Sequence, residues 1–189
     1  MLLVICVMIV WWLIQLLSKK SHTIDDVSNS DNVLPKWMNY IVQQGYFTTD
    51  EYQRLKSKNL SRAQITPYLA HYGQLKGLDM DTTRECQFSD INDDDMFSTT
   101  IIQACQYGLM KWFGKRFLPD RTIKRYELIS ALIRSQVGII DQSSDPWYLP
   151  YLQKAIQYGI ISEKISLDQI RWDVIIDDIG HIIYQLDNR

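Results

Sequence analysis

The sequence predicts an all-α domain of three helix-loop-helix units, preceded by a separate apolar helix. Three observations carry this expectation. First, a pattern occurs three times: an apolar residue and an aspartate open each unit, a glycine follows, and an arginine closes it with an acid or amide two places on. It reads Ile24, Asp26, Gly45 and Arg62-Ala63-Gln64; then Phe88, Asp90, Gly108 and Arg125-Tyr126-Glu127; then Ile139, Asp141, Gly159 and Arg171-Trp172-Asp173. The apolar-to-glycine spacing is 21, 20 and 20 residues, and the glycine-to-arginine spacing is 17, 17 and 12. A recurrence of this length marks units that bury their apolar faces against one another. Second, apolar residues fall at helical intervals, and no segment alternates with period two for long. Third, 11 Tyr and 6 Trp among 189 residues supply enough apolar surface for a packed core.

The elements follow in order. Residues 1–20 read as a membrane anchor or signal segment. The first 17 residues carry one polar side chain, Gln15, and as a helix would span about 25 Å. No basic region precedes the apolar run and no small-x-small cleavage site follows it. Residues 2–17 are therefore expected to stay in a membrane, with a cleaved signal peptide as the alternative. Residues 21–73 form the first unit. A polar stretch leads to Pro35, which starts a helix holding Trp37, Ile41 and Val42 and stopped by Gly45. Thr48-Thr49-Asp50-Glu51 caps a short helix around Tyr52. Ser61 caps a third helix carrying Ile65, Leu69 and Tyr72. Residues 74–87 are an irregular connector.

Residues 88–138 repeat the plan, with a helix through Ile101, Ile102 and Cys105, a loop at Phe117-Leu118-Pro119-Asp120, and a helix through Leu128, Ile129, Leu132 and Ile133. Residues 139–189 repeat it again. A helix starts at Asp145-Pro146-Trp147 and ends at Gly159, and a last helix holds Val174, Ile175, Ile179, Ile182 and Ile183.

Net charge is −2, which excludes a nucleic-acid binder driven by phosphate neutralisation. Charge is uneven, however. Four aspartates lie within Asp90–Asp95, and a basic stretch follows at Lys111, Lys115, Arg116, Arg121, Lys124 and Arg125. That stretch is either a solvated surface or the face of an anion site. Each repeat arginine is expected at the N-terminal end of its unit's last helix. Free N–H groups and a partial positive charge there suit a carboxylate or phosphate. The alternative is a structural ion pair with a neighbouring acid. Trp37 and Trp147 either offer flat faces to sugar rings or belong to the core.

Cys86 and Cys105 flank the first half of the second unit and are expected to pair if the domain is exported; otherwise they are buried thiols. Asp90-x-Asn92-x-Asp94 resembles the opening of a calcium loop. It has Asp95 where the loop needs glycine and Ile101 where it needs glutamate, so no metal is expected. The scattered His22, His71 and His181 hold no metal spacing. With no phosphate loop, nucleophile elbow or cofactor motif, a binding protein is expected rather than an enzyme.

These residues resemble the S-layer homology family, whose units run from Phe-x-Asp through a tryptophan and an apolar helix to glycine, then Phe-x-Pro-Asp and an Ile-Thr-Arg-Ala-Glu signature. The second unit carries the match best, with Phe88-Ser89-Asp90, Gly108, Phe117-x-Pro119-Asp120 and Ile123-Lys124-Arg125-Tyr126-Glu127. The third keeps Asp141, Trp147, Gly159, Arg171 and Asp173; the first keeps Asp26, Gly45 and Arg62-Ala63. The resemblance implies a pseudo-threefold arrangement whose grooves bind an anionic secondary cell-wall polysaccharide, or a peptidoglycan-linked glycan, without covalent attachment. It implies Arg62, Arg125 and Arg171 as ligand contacts, supported by Asp26, Asp90, Asp141, Trp37, Trp147 and Glu127. The expected location is the bacterial envelope, anchored and exported, although Lys19 and Lys20 oppose that orientation by the charge rule. A membrane-anchored scaffold for another protein is the alternative.

Overall fold

The computed structural model describes residues 34–111, 114–140 and 144–189, of which Lys36–Arg189 form one compact unit. The expected anchor at residues 2–17, together with Asp26 and Asp141, lies outside the described residues. Among those described the fold is all-α, with eight helices and no strands. They are α1 (Lys36–Gln43), α2 (Thr49–Leu55), α3 (Thr66–Leu75), α4 (Ser98–Gln106), α5 (Arg125–Val137), α6 (Leu149–Gln157), α7 (Leu167–Ile170) and α8 (Ile176–Asp187).

One turn occurs three times. After α1, α4 and α6 the chain enters the left-handed region at Gly45, Gly108 and Gly159, with φ of 75°, 73° and 71°. The next residue then reaches back: the N–H groups of Tyr46, Leu109 and Ile160 donate to the carbonyls of Ile41, Ala104 and Ala155 at 3.1, 2.9 and 2.9 Å. This closes each helix with a Schellman motif, and glycine is the residue that adopts its αL position without a Cβ penalty.

The core is tied by a cycle of backbone bonds. The N–H of Leu60 donates to Val174 O at 2.8 Å, that of Val174 to Ile123 O at 2.8 Å, and that of Ile123 to Leu60 O at 3.2 Å. All three side chains are buried, each contributing roughly 1.5–3 kcal/mol by leaving water. Two isolated antiparallel bridges, Ser61 with Thr122 and Lys124 with Asp173, extend the cycle outward. Helix packing follows the same order, α3 on α4, α5 on α6, and α8 back on α1.

The cycle fixes which residues correspond. Leu60, Ile123 and Val174 are equivalent, and so are Gly45, Gly108 and Gly159. In the third unit the arginine position therefore falls on Ile176, not Arg171, 17 residues after the glycine as in the other two. The expected register of Arg171-Trp172-Asp173 is corrected by five residues. The physical reason is a competing cap. Ser166 Oγ accepts the Gln169 N–H and Gln169 Oε1 accepts the Ser166 N–H, so a one-turn helix, α7, forms there. Arg171 follows as its C-cap and stands exposed at a helix C-terminus, the opposite end from the one expected.

The true last-helix starts share one device. Gln64, Glu127 and Asp178 each accept the backbone N–H three residues earlier, from Ser61, Lys124 and Ile175, at 2.9, 3.0 and 3.0 Å. In the first unit, helix proper begins later, at Thr66. Pro67 has no N–H to give Ala63 O, and the Thr66 hydroxyl fills that carbonyl at 2.8 Å.

Candidate anion-binding site

Arg62 and Arg125 reach partners more than 50 residues further along the chain. Arg62 is 3% exposed and its Nε donates to Phe117 O at 2.8 Å. Its Nη2 donates to Lys111 O, its Nη1 lies 3.8 Å from Glu127 Oε1, and the guanidinium carbon stands 4.7 Å from the Phe117 ring centre. Burial pulls its pKa down to about 10, against the opposing pull of Glu127. Arg125 pairs with Asp178 of the next unit at 2.9 Å and lies 5.2 Å from the Trp172 ring centre. By the same register, Ile176 corresponds to the arginines and Gln64 to the acids. Where the third arginine is lost, its acid is lost too, so no charge is stranded in the core.

Other expected site residues also have internal partners. Asp90 accepts the N–H groups of Phe117 and Leu118 at 2.8 and 2.9 Å and lies 3.6 Å from Arg116. Burial alone would raise its pKa; those donors outweigh it and the net shift is downward. Glu127 joins Arg62, Arg121 and its own helix N-terminus. Trp37 meets His181 edge-on at 4.4 Å and covers Gly180 of α8, where a Cβ would collide with the indole. Trp147 differs: it is 37% exposed, beside the stacked Tyr126–Tyr148 pair, with Lys111 Nζ 5.7 Å from its ring centre.

Lys111 also borders a pocket of about 310 Å³ between the C-terminal ends of α4 and α5. Arg84, Tyr107, Met110, Arg134 and Ile139 line it with Lys111, and no carboxylate stands among the described lining residues. Arg134 is nearly buried; its Nε and Nη2 donate to Gly108 O at 3.1 and 2.9 Å, and Nη2 also to Leu109 O. Arg84 Nη1 donates to Cys105 O at 2.9 Å, and its Nε lies 3.7 Å from Asp81. Burial and then the Arg134 charge lower the pKa of Lys111. Burial likewise lowers that of Arg134, against the opposing pull of the Tyr151 hydroxyl and with Arg84 adding a smaller push downward. Three cations crowding one pocket gain from an anion that relieves their repulsion.

A second groove, about 440 Å³, is lined by Ser61, Gln64, Asp90, Asp95, Met96 and Asp120 among others. Three carboxylates and no cation line it, so it repels an anion. The structure thus brings Arg62 to Glu127 and Asp90 to the Phe117 loop, but gathers neither set around an open basic groove. Arg84 and Arg134 were missed because they lie 50 residues apart and outside the repeated motif. One signal was available: Arg134 interrupts the apolar face of α5 directly after Leu132 and Ile133. Among the described residues no cluster of His, Cys, Asp or Glu is arranged to hold a metal. No protein-family model and no curated protein matches this chain.

Proposed function

We propose that the chain is a noncovalent binder of an anionic cell-wall polysaccharide, built of three units about a pseudo-threefold axis and acting at the bacterial envelope without catalysis. The cyclic backbone bonding of Leu60, Ile123 and Val174 supports the arrangement. The observation that carries the function is the pocket of Arg84, Lys111 and Arg134 with the exposed Trp147 beside Lys111. Cations select an acidic substituent, and an indole face packs against a sugar ring. The binding residues then differ from those the resemblance implies: Arg62, Asp90 and Trp37 build the scaffold, and Trp147 remains a contact. Arg125, Glu127 and Arg171 hold the unit boundary or the surface nearby, and residues 2–17 anchor the chain.

The test is retention of the full chain, in detergent micelles, on purified wall glycan. Lys111→Ala and Trp147→Ala should each weaken binding about tenfold while the helical signal stays intact. Retention unchanged in both variants, or indifferent to salt, would remove this reading. A protein-docking scaffold is the second reading. It is favoured by Met96, 88% exposed at the rim of the acidic groove. Capture of a basic protein that survives loss of Lys111 and fails with Met96→Asp would support it.

A further inference from the structure

We infer that the Cys86–Cys105 disulfide positions Arg84 in the anion pocket, so that the pocket's charge depends on the crosslink staying oxidised. This rests on the anion-binding reading of that pocket. Cys86 and Cys105 are bonded, their Cα atoms 6.0 Å apart and both side chains buried. The connector around Cys86 has no helix between Leu75 and Ser98. It is hung on the end of α4 by the Asp81 N–H to Gln106 O at 3.1 Å, by Arg84 Nη1 to Cys105 O at 2.9 Å, and by the crosslink. The carbonyl that Arg84 caps therefore belongs to the same residue that the crosslink holds.

Other forces oppose this placement. Arg84 faces two further cations across the pocket, and Arg134 registers the Arg84 charge. Asp81, on the exposed connector, offers Arg84 a partner that travels with it. A single carbonyl bond to a charged donor is comparable to the repulsion and ordering cost it must beat. The crosslink tips that balance by fixing the backbone two residues from Arg84. Gly108 keeps the path clear, since a Cβ there would stand 2.7 Å from Arg84 Nη1. When a dithiol reductant passes two electrons and two protons to the S–S bond, two thiols form and the reductant becomes a disulfide. The connector then loosens between its ties at Leu78 and Ser89, so that Arg84 leaves the Cys105 carbonyl with Asp81 as its partner and Lys111 and Arg134 stay behind.

The experiment compares the full chain and its Arg84→Ala variant, each oxidised and reduced. Affinity for inorganic phosphate is read from arginine side-chain resonances, and retention on wall glycan is measured in parallel. Reduction should weaken phosphate binding at least about fivefold in the natural chain and less than about twofold in Arg84→Ala, because the crosslink acts through that side chain. If reduction itself melts the helices, the Cys86→Ala/Cys105→Ala pair with an intact helical signal serves for the reduced state. Equal losses in both chains, a melted fold in every uncrosslinked form, or no loss in the natural chain would each overturn the inference. Phosphate coupling as expected without glycan retention would sink the glycan reading and leave the latch standing. An oxidised chain that binds neither ligand would overturn both.

Discussion

At the scale of single residues, Arg62 and Arg125 act as internal braces. Glu127 lies within ion-pair distance of Arg62, and Arg62 is almost wholly buried. Removing that carboxylate takes the stronger of the two acidic charges felt by a guanidinium in the core, leaving it the carbonyls and the weaker pull of Asp90. Glu127→Gln should therefore cost about 3–5 kcal/mol in urea unfolding. A loss below about 1 kcal/mol would mean that the carbonyl bonds alone hold Arg62. Asp90 gives a pH-dependent counterpart. Its folded pKa lies below the ordinary 3.8, so the unfolded chain takes up the proton first as pH falls. The stability it contributes is complete above 3.8 and is lost as pH drops through the folded value. Asp90→Asn should thus lower the urea midpoint at about pH 6 and by progressively less as pH falls through the folded value, flattening the acid slope. A slope identical to that of the natural chain would show that Asp90 carries no such linkage.

At the scale of elements, much was legible, and the misses have physical causes. The three glycine stops, the α1, α4 and α5 helices and the capping segment at Thr48 all follow from local chemistry that leaves a mark in sequence. The start of the last helix did not. Ser166-x-x-Gln169 offers the same capping signal as Ser61-x-x-Gln64, and Arg171 nearby completes a false match. Only the tertiary cycle picks Val174 as the partner of Leu60 and Ile123. A constant offset would have resolved it, since Gly108 to Gly159 and Ile123 to Val174 both span 51 residues. The anion pocket was illegible because Arg84, Lys111 and Arg134 meet only after α4 and α5 are folded. The corrected register is itself testable. Ile176→Arg places an unpaired charge in a fully buried position and should cost about 3–5 kcal/mol. Adding Gln64→Glu should recover at least about 1 kcal/mol of that, by restoring the Arg62–Glu127 pattern at the third boundary. Strictly additive losses would mean that positions 64 and 176 do not face each other.

At the scale of the whole molecule, closure separates this domain from an open helical array. In an array each unit touches only its neighbours, and trimming one end reduces stability by that unit's share. Here α8 packs on α1, so the chain's last described helix depends on its first. Met38 and Ile41 are buried, and Trp37 covers Gly180 of α8. A chain starting at Thr48 loses these contacts and also bares the face of α8 that carries Gly180, His181 and Tyr184. Losing several large core side chains removes roughly 5 kcal/mol or more, which for a domain of this size lowers Tm by roughly 10–20 °C. The decisive observation is where the loss is felt. In a closed ring the aromatic signal of the distant Tyr126–Trp147–Tyr148 cluster should melt together with the helices, at the lowered temperature. In an open array that cluster, lying between the second and third units, would keep its original melting point while only the first unit's helices were lost. Coincident transitions at reduced temperature are expected, and a second unit that melts as before would show that the ring does not cooperate.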